Sequence, residues 1–189
     1  MWPRGNAFLP RIALMSCLVT FSSFASASKL DIMAGWFSIS AKTNSGSSEL
    51  SNFGAYRINY FIPVFRQLDL TVGYSLLMSD TFGGDLGYGV DGGVTYYPIS
   101  NSRPIKADSE NARMVVDSLW RPYAGLGFSQ RQFQSVQSTY AGFSLFGGVE
   151  RSLMREFDFK AELRIVELQG AGVATATEMT LVAGIIYLF

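Results

Sequence analysis

The chain has 189 residues with 15 Lys plus Arg balanced by 15 Asp plus Glu, a size suited to one domain and a charge that gives no reason to expect a nucleic-acid partner. Histidine is absent and Cys17 is the single cysteine, which excludes imidazole bases, His-based triads, most zinc sites and any intramolecular disulfide. With 19 Gly, 15 Phe and 9 Tyr, the composition is that of an all-β protein rich in amphipathic rings.

The chain opens with a leader. Arg4 and Arg11 precede an apolar run from Ile12 to Phe24, and Ala25-Ser26-Ala27 supplies small residues for cleavage, so residues 1–27 read as a secretory signal peptide. A lipoprotein signal using Leu14-Met15-Ser16-Cys17 is the alternative, with a shorter apolar core. The run is too short for a spanning helix, which needs about 20 apolar residues.

Residues 28–189 form the remaining domain and show period-two alternation almost throughout. Strand one starts at Lys29, with Leu30, Ile32, Ala34 and Trp36 alternating with Asp31, Met33, Gly35 and Phe37. Lys42 to Glu49 is Gly/Ser-rich and reads as a flexible turn. Leu50 to Ile62 sets Tyr56, Ile58, Tyr60 and Ile62 against Ala55, Arg57 and Asn59, and Pro63 to Gln67 is expected to turn. Leu68 to Met78 alternates most cleanly. Asp85 to Tyr97 places Tyr88, Val90 and Val94 opposite Gly87, Gly89, Asp91 and Gly93.

From Pro98 to Leu119 the alternation stops, leaving a mixed-charge connection with a helical turn expected near Asn111 to Val116. Strands resume over Trp120 to Gln132 and Thr139 to Glu150. The next strand sets Phe157, Phe159, Ala161, Leu163 and Ile165 against Asp158, Lys160, Glu162 and Arg164. The last segment, Glu178 to Phe189, carries Met179, Leu181, Ala183, Ile185, Tyr187 and Phe189 on one face and ends on that phenylalanine.

Eight strands of this length, closed on themselves, make an antiparallel up-and-down β-barrel. One face is aliphatic and aromatic; the other collects ions and glycines. Because the interior of an eight-stranded barrel is barely wide enough for side chains, the glycine-rich polar face is assigned to the lumen and the large apolar residues to the outside, as in a membrane barrel. Rings at strand ends suggest two interfacial girdles: Tyr60, Phe61, Phe65, Tyr96, Trp120, Phe157, Tyr187 and Phe189 at one edge, Phe53, Phe82, Tyr88, Phe133 and Tyr140 at the other. A soluble, lipocalin-like barrel with the faces exchanged is the alternative.

Leader, alternation and terminal phenylalanine together resemble small bacterial outer-membrane barrels such as the transmembrane part of outer-membrane protein A and outer-membrane proteins X and W. The resemblance is architectural, and the 98–119 connection departs from it. It implies a cleaved signal peptide and a location in the outer membrane among its lipid and lipopolysaccharide. It also implies assembly by the barrel-assembly machinery, with Ile185, Tyr187 and Phe189 as the terminal assembly signal, and a monomer as the favoured state.

Near mid-height the polar face offers Arg57, Asp91, Lys160, Glu162 and Arg164. Unpaired charges there would cost several kcal/mol each, so pairing is expected. Such a set can be a structural ion-pair plug or a gate whose partners exchange to admit ions; Glu162 with Asp91 could in principle do acid/base work. A structural or narrow-channel, porin-like role without catalysis, metal or cofactor is expected. The other readings are a barrel that binds partners through its loops, which are short, or through the 98–119 connection, and a membrane enzyme. Barrel enzymes of that membrane resemble one another in relying on a histidine, which this chain lacks.

Overall fold

The computed structural model describes residues 28–43, 46–79, 86–99, 105–108, 113–116, 120–134, 138–154, 156–170 and 175–189. The leader assigned to 1–27, and Phe82 of the second girdle, lie outside the described residues. Ten strands form in chain order: β1 (Lys29–Thr43), β2 (Gly46–Phe65), β3 (Leu68–Met78), β4 (Leu86–Tyr96), β5 (Ile105–Asp108), β6 (Arg113–Val116), β7 (Trp120–Phe133), β8 (Ser138–Ser152), β9 (Phe157–Gln169) and β10 (Thr175–Leu188).

Eight of them close into an antiparallel barrel in the cyclic order β1-β10-β9-β8-β7-β4-β3-β2, so consecutive wall strands pair, β4 meets β7 across the β5–β6 connection, and β1 meets β10. Closure leaves no edge along the shared length of the strands. Lys29 pairs with Leu188 and Lys42 with Thr175, which puts the start of β1 and the end of β10 at one mouth, the terminal mouth; the other is the distal mouth. The Phe189 amide donates to the Ser28 carbonyl at 3.2 Å, tying the last described residue to the first.

Several sequence expectations are corrected. The segment from Lys42 to Glu49 is mostly strand, since β1 runs to Thr43 and β2 begins at Gly46; serine and threonine extend readily when a neighbouring ladder takes their backbone groups. Pro63 and Phe65 belong to β2, where the pairing with β3 slips, as a residue without an N–H requires, and the turn is made by Arg66 and Gln67. Within the 98–119 connection, the expected helical turn over 111–116 is replaced by a hairpin: β5 pairs with β6 in a separate two-stranded sheet, with Ile105 opposite Val116 and Asp108 opposite Arg113. The run Met114-Val115-Val116 explains this, because β-branched residues favour extended backbone.

The barrel wall follows the predicted alternation. Ile32, Ile58, Val72, Val90, Leu126, Leu145, Leu163, Leu181 and Ile185 all face outward and are exposed, while Asp31, Arg57, Asp91, Lys160 and Glu162 are buried inside. Of the acidic and basic side chains described in the barrel, thirteen are buried in the lumen, six cations against seven carboxylates. The others, Lys42, Glu49, Arg66, Arg151, Glu156 and Glu167, sit at the two rims. Between the rims the described outer wall carries no charge.

The lumen is not lined by small residues alone. Met33, Phe37, Ile39, Ala55, Leu77, Val166, Leu168, Ala176 and Val182 form an apolar cluster in its distal half, with Phe133 and Tyr140 packed against it. Tyr97, Tyr123 and Phe146 form a second cluster nearer the terminal mouth. Phe61, at 1% exposure, also points inward. Phe61, Phe133 and Tyr140 are therefore lumen residues and not girdle residues: each lies on the same strand parity as a buried charge, Arg57 for the first and Arg131, directly or across the Arg131–Tyr140 pair, for the other two. Glycine makes the room for these rings. A Cβ at Gly125 would lie 2.3 Å from the Phe146 ring, so only a residue without one lets the ring lie flat on β7.

Candidate functional site: the charged lumen

Each lumenal ion is placed by strand parity, and the shear of the barrel brings residues far apart in sequence to one level. The five residues singled out in sequence meet there. Arg57 Nη1 lies 2.9 Å from Glu162 Oε1 and its Nε 3.8 Å from Asp91 Oδ2. Arg164 Nη2 is 3.1 Å from the same Glu162 oxygen, and Lys160 Nζ 3.4 Å from Glu162 Oε2. Arg164 Nη1 reaches Asp91 at 3.7 Å. Glu162 is the hub, shared by three cations on β2 and β9.

The sequence reading missed the rest of the network. Arg131 on β7 bridges Asp91 at 2.9 Å and Glu178 at 2.8 Å. Lys160 bonds Asp31 at 2.7 Å, which also accepts from the Asn59 side chain at 2.8 Å. Nearer the terminal mouth, Lys29 lies 3.1 Å from Asp69 and 3.8 Å from Glu150. Arg121 pairs with Glu150 at 3.1 Å and with Asp158. All of these share the parity of residues already assigned to the lumen, so alternation alone contained the signal; restricting attention to mid-height left them out. Tyr97, the last residue of the strand expected over Asp85 to Tyr97, shares the parity of Asp91 as well, although β4 itself ends at Tyr96.

Hydroxyls and rings complete the shell. Tyr123 donates to Glu162 at 3.0 Å and Tyr97 to Glu150 at 2.7 Å. Ser129 donates to Asp91 at 2.6 Å, and Ser75 also bonds Asp91. The Lys160 ammonium sits 4.2 Å over the Phe61 ring and Arg164 lies 4.1 Å from the Phe146 centroid. Cations that gain carboxylates, hydroxyls and ring faces together can remain charged out of bulk water.

Chemically this is a filled interior. Asp91 and Glu162 are held by the same two arginines, Arg57 and Arg164, so neither presents a spare oxygen to a substrate. Above them, the apolar cluster around Phe37 and Leu168 occupies the distal half. The three residues expected to form a terminal assembly signal are elsewhere, on the outer wall. Ile185 and Tyr187 are exposed on β10, and Tyr187 forms a ring chain with Phe157 at 5.4 Å and Phe189 at 5.7 Å, which continues to Tyr60 at 6.1 Å. A cleft lined by Ser40, Lys42, Glu167 and Thr177 lies on the outside at the distal rim.

No family model and no curated protein matches the chain. Among solved structures, Neisserial surface protein A is 16% identical, with 87% of this chain and 99% of that one covered and a TM-score of 0.61. The chain has the fold of a small outer-membrane barrel. The outer membrane protease OmpT from Escherichia coli (7% identity, 88% and 98% covered, TM-score 0.49) is more distant, as is Ail, the attachment invasion locus protein of Yersinia pestis (11%, 86% and 100%, 0.43). At 16% identity the likeness to the Neisserial protein concerns the barrel itself.

Proposed function

We propose that the chain is an integral outer-membrane barrel with a structural role, its lumen closed by paired charges on the terminal side and by an apolar plug on the distal side. One observation carries this reading: the described acidic and basic side chains of the barrel lie in the lumen or at the rims, and the wall between carries none. In water that arrangement exposes Leu126, Phe143, Val72 and their neighbours at great cost, since each large apolar side chain moved out of water gains about 1.5–3 kcal/mol. Facing lipid, the same wall matches the apolar band of about 25 Å expected of such barrels.

The rings at the terminal rim support the placement. Tyr60, Tyr96, Trp120, Phe157, Tyr187 and Phe189 are exposed there, where aromatic side chains suit a membrane interface. Arg151 packs 5.1 Å from the Trp120 ring at the same level. No catalytic role is assigned, because the lumenal carboxylates are committed to cations. The narrow-channel alternative requires the cluster of Met33, Phe37, Leu77 and Leu168 to leave the lumen.

Cell fractionation with a gel run before and after boiling tests the reading. Recovery in the outer-membrane fraction, with an apparent mass that changes on heating, is expected. Purified mature chain that stays monomeric in plain buffer would overturn it. Planar-bilayer recordings at lipid background are expected of the closed lumen, and steady single-channel steps would replace the structural role with a conducting one.

A further inference from the structure

The wall changes character at one height. Toward the distal mouth, the outward positions of β10 pass from Leu181 and Met179 to Thr177 and Thr175, and those of β9 from Leu163 and Ile165 to Glu167 and Gln169. On β7 the step runs from Leu126 and Phe128 to Gln130 and Gln132, and on β1 from Trp36 to Ser38 and Ser40. The inward positions change the other way. Below the step they hold Asp91, Glu162 and Arg164; above it stand Ile39, Leu168 and Ala176, all buried, with Ala41, Phe133 and Tyr140 packed against them. The Phe133 and Tyr140 rings meet edge to face at 5.8 Å. Arg131 starts at this height and directs its charge to Glu178 at 2.8 Å and Asp91 at 2.9 Å. A belt of rings marks the step on the outside: Phe53 and Phe143 are 74% and 78% exposed, Trp36 pairs with Phe53, and Phe128 lies edge to face with Phe143 at 5.9 Å.

We propose that the barrel meets lipid only below this belt, and that the distal ends of its long strands stand in water as a collar with a hydrophobic core of its own. The belt is then one membrane interface, where rings are favoured. Below it the wall is apolar outside and charged inside, as in a membrane barrel. Above it the faces are exchanged, as in a barrel surrounded by water. Acyl chains around Gln130, Glu167 or Thr177 would strip water from groups that are costly to bury, whereas burying Ile39 and Leu168 is favourable where the surroundings are water. Height agrees. From Met179 to Tyr187 on β10, at about 3.3 Å per residue and a tilt near 40°, the wall rises about 20 Å. With the rings at both ends it fills a band of about 25 Å without the collar. β3 and β4 stop near the belt, at Met78 and Leu86, so the collar stands on the other six wall strands. The distal end of the lumen is thus closed outside the bilayer. That the lower wall faces lipid at all rests on the outer-membrane reading.

The test uses the full chain with Cys17→Ser, refolded into phosphatidylcholine vesicles and verified by heat-modified migration. Four single reporters are made, all at outward positions: Thr177→Cys and Gln132→Cys in the collar, Leu181→Cys and Leu126→Cys below the belt. Each carries a bimane fluorophore, read with iodide on both sides of the membrane and, separately, in vesicles whose acyl chains are brominated. Iodide should quench positions 177 and 132 at least threefold more than 181 and 126, and brominated chains should reverse that order. Quenching of all four by brominated chains to the same extent overturns the collar and leaves the outer-membrane reading standing, since the whole wall would then face lipid. Quenching of all four by iodide, with none by brominated chains, overturns the outer-membrane reading and the collar with it.

Discussion

Arg57 and Glu162 meet at 2.9 Å across the lumen although 105 residues separate them in the chain. The pair reaches from β2 to β9 over the β1–β10 seam, so it braces the one line of the wall that no turn connects. Glu162 holds Arg164 and Lys160 as well. Glu162→Gln should therefore leave three buried cations short of a partner and cost about 3–5 kcal/mol, the usual price of removing one member of a buried pair. Equilibrium urea unfolding in detergent measures it, and the loss should exceed that of Glu49→Gln, which changes an exposed rim residue.

The distal plug makes a second prediction. Phe37 is 1% exposed and packs among Met33, Leu77 and Val182. Phe37→Ala should destabilise the barrel by about 3–5 kcal/mol through lost transfer energy and the cavity left behind. Leu168→Ala, in the same cluster, should cost about 2–5 kcal/mol. The same unfolding measurement reads both, and a loss below 1 kcal/mol for each would mean that the plug is not packed.

Depth along the outer wall can be read by charge insertion. Leu181 is an exposed mid-wall residue on β10, whereas Thr177 on the same face lies toward the distal rim. Leu181→Arg should cost about 2–4 kcal/mol in lipid and Thr177→Arg about 0–1, as expected for the centre and edge of an apolar band. Equal costs at both positions would argue against a membrane around this wall.

Phe189 separates stability from assembly. Its ring contacts Tyr60 and Tyr187 only at the rim, so Phe189→Ala should change the stability of refolded barrel by about 0.5–1.5 kcal/mol beyond lost area. If Ile185, Tyr187 and Phe189 act as an assembly signal, the amount of folded protein reaching the outer membrane should fall severalfold. Quantifying heat-modifiable protein in membrane fractions decides between these roles.

The barrel was legible in the sequence because a period of two assigns each side chain to a face, and the faces differ in charge at almost every position. The same rule placed Arg57, Asp91, Lys160, Glu162 and Arg164 inside. The assignment of rings to girdles failed where parity and hydrophobicity disagree: Phe61, Phe133 and Tyr140 are aromatic yet inward, like Phe37, which shares the parity of Asp31. Size argued them outward, but glycines on neighbouring strands leave space that a strand-by-strand reading does not see. Gly87, for example, would carry a Cβ 2.7 Å from the Phe133 ring. The hairpin of β5 and β6 was hidden for another reason, since four-residue strands show too little alternation to register.

The seam between β1 and β10 has a consequence for biogenesis. Seven of the eight strand contacts in the wall join consecutive wall strands; this one joins the first strand to the last. Until they zip together, a half-rolled sheet lying in hydrocarbon would offer thirteen acidic and basic groups to acyl chains. On the proposed outer-membrane reading, insertion therefore has to be concerted with rolling up, or water has to travel in with the sheet until the cylinder shuts.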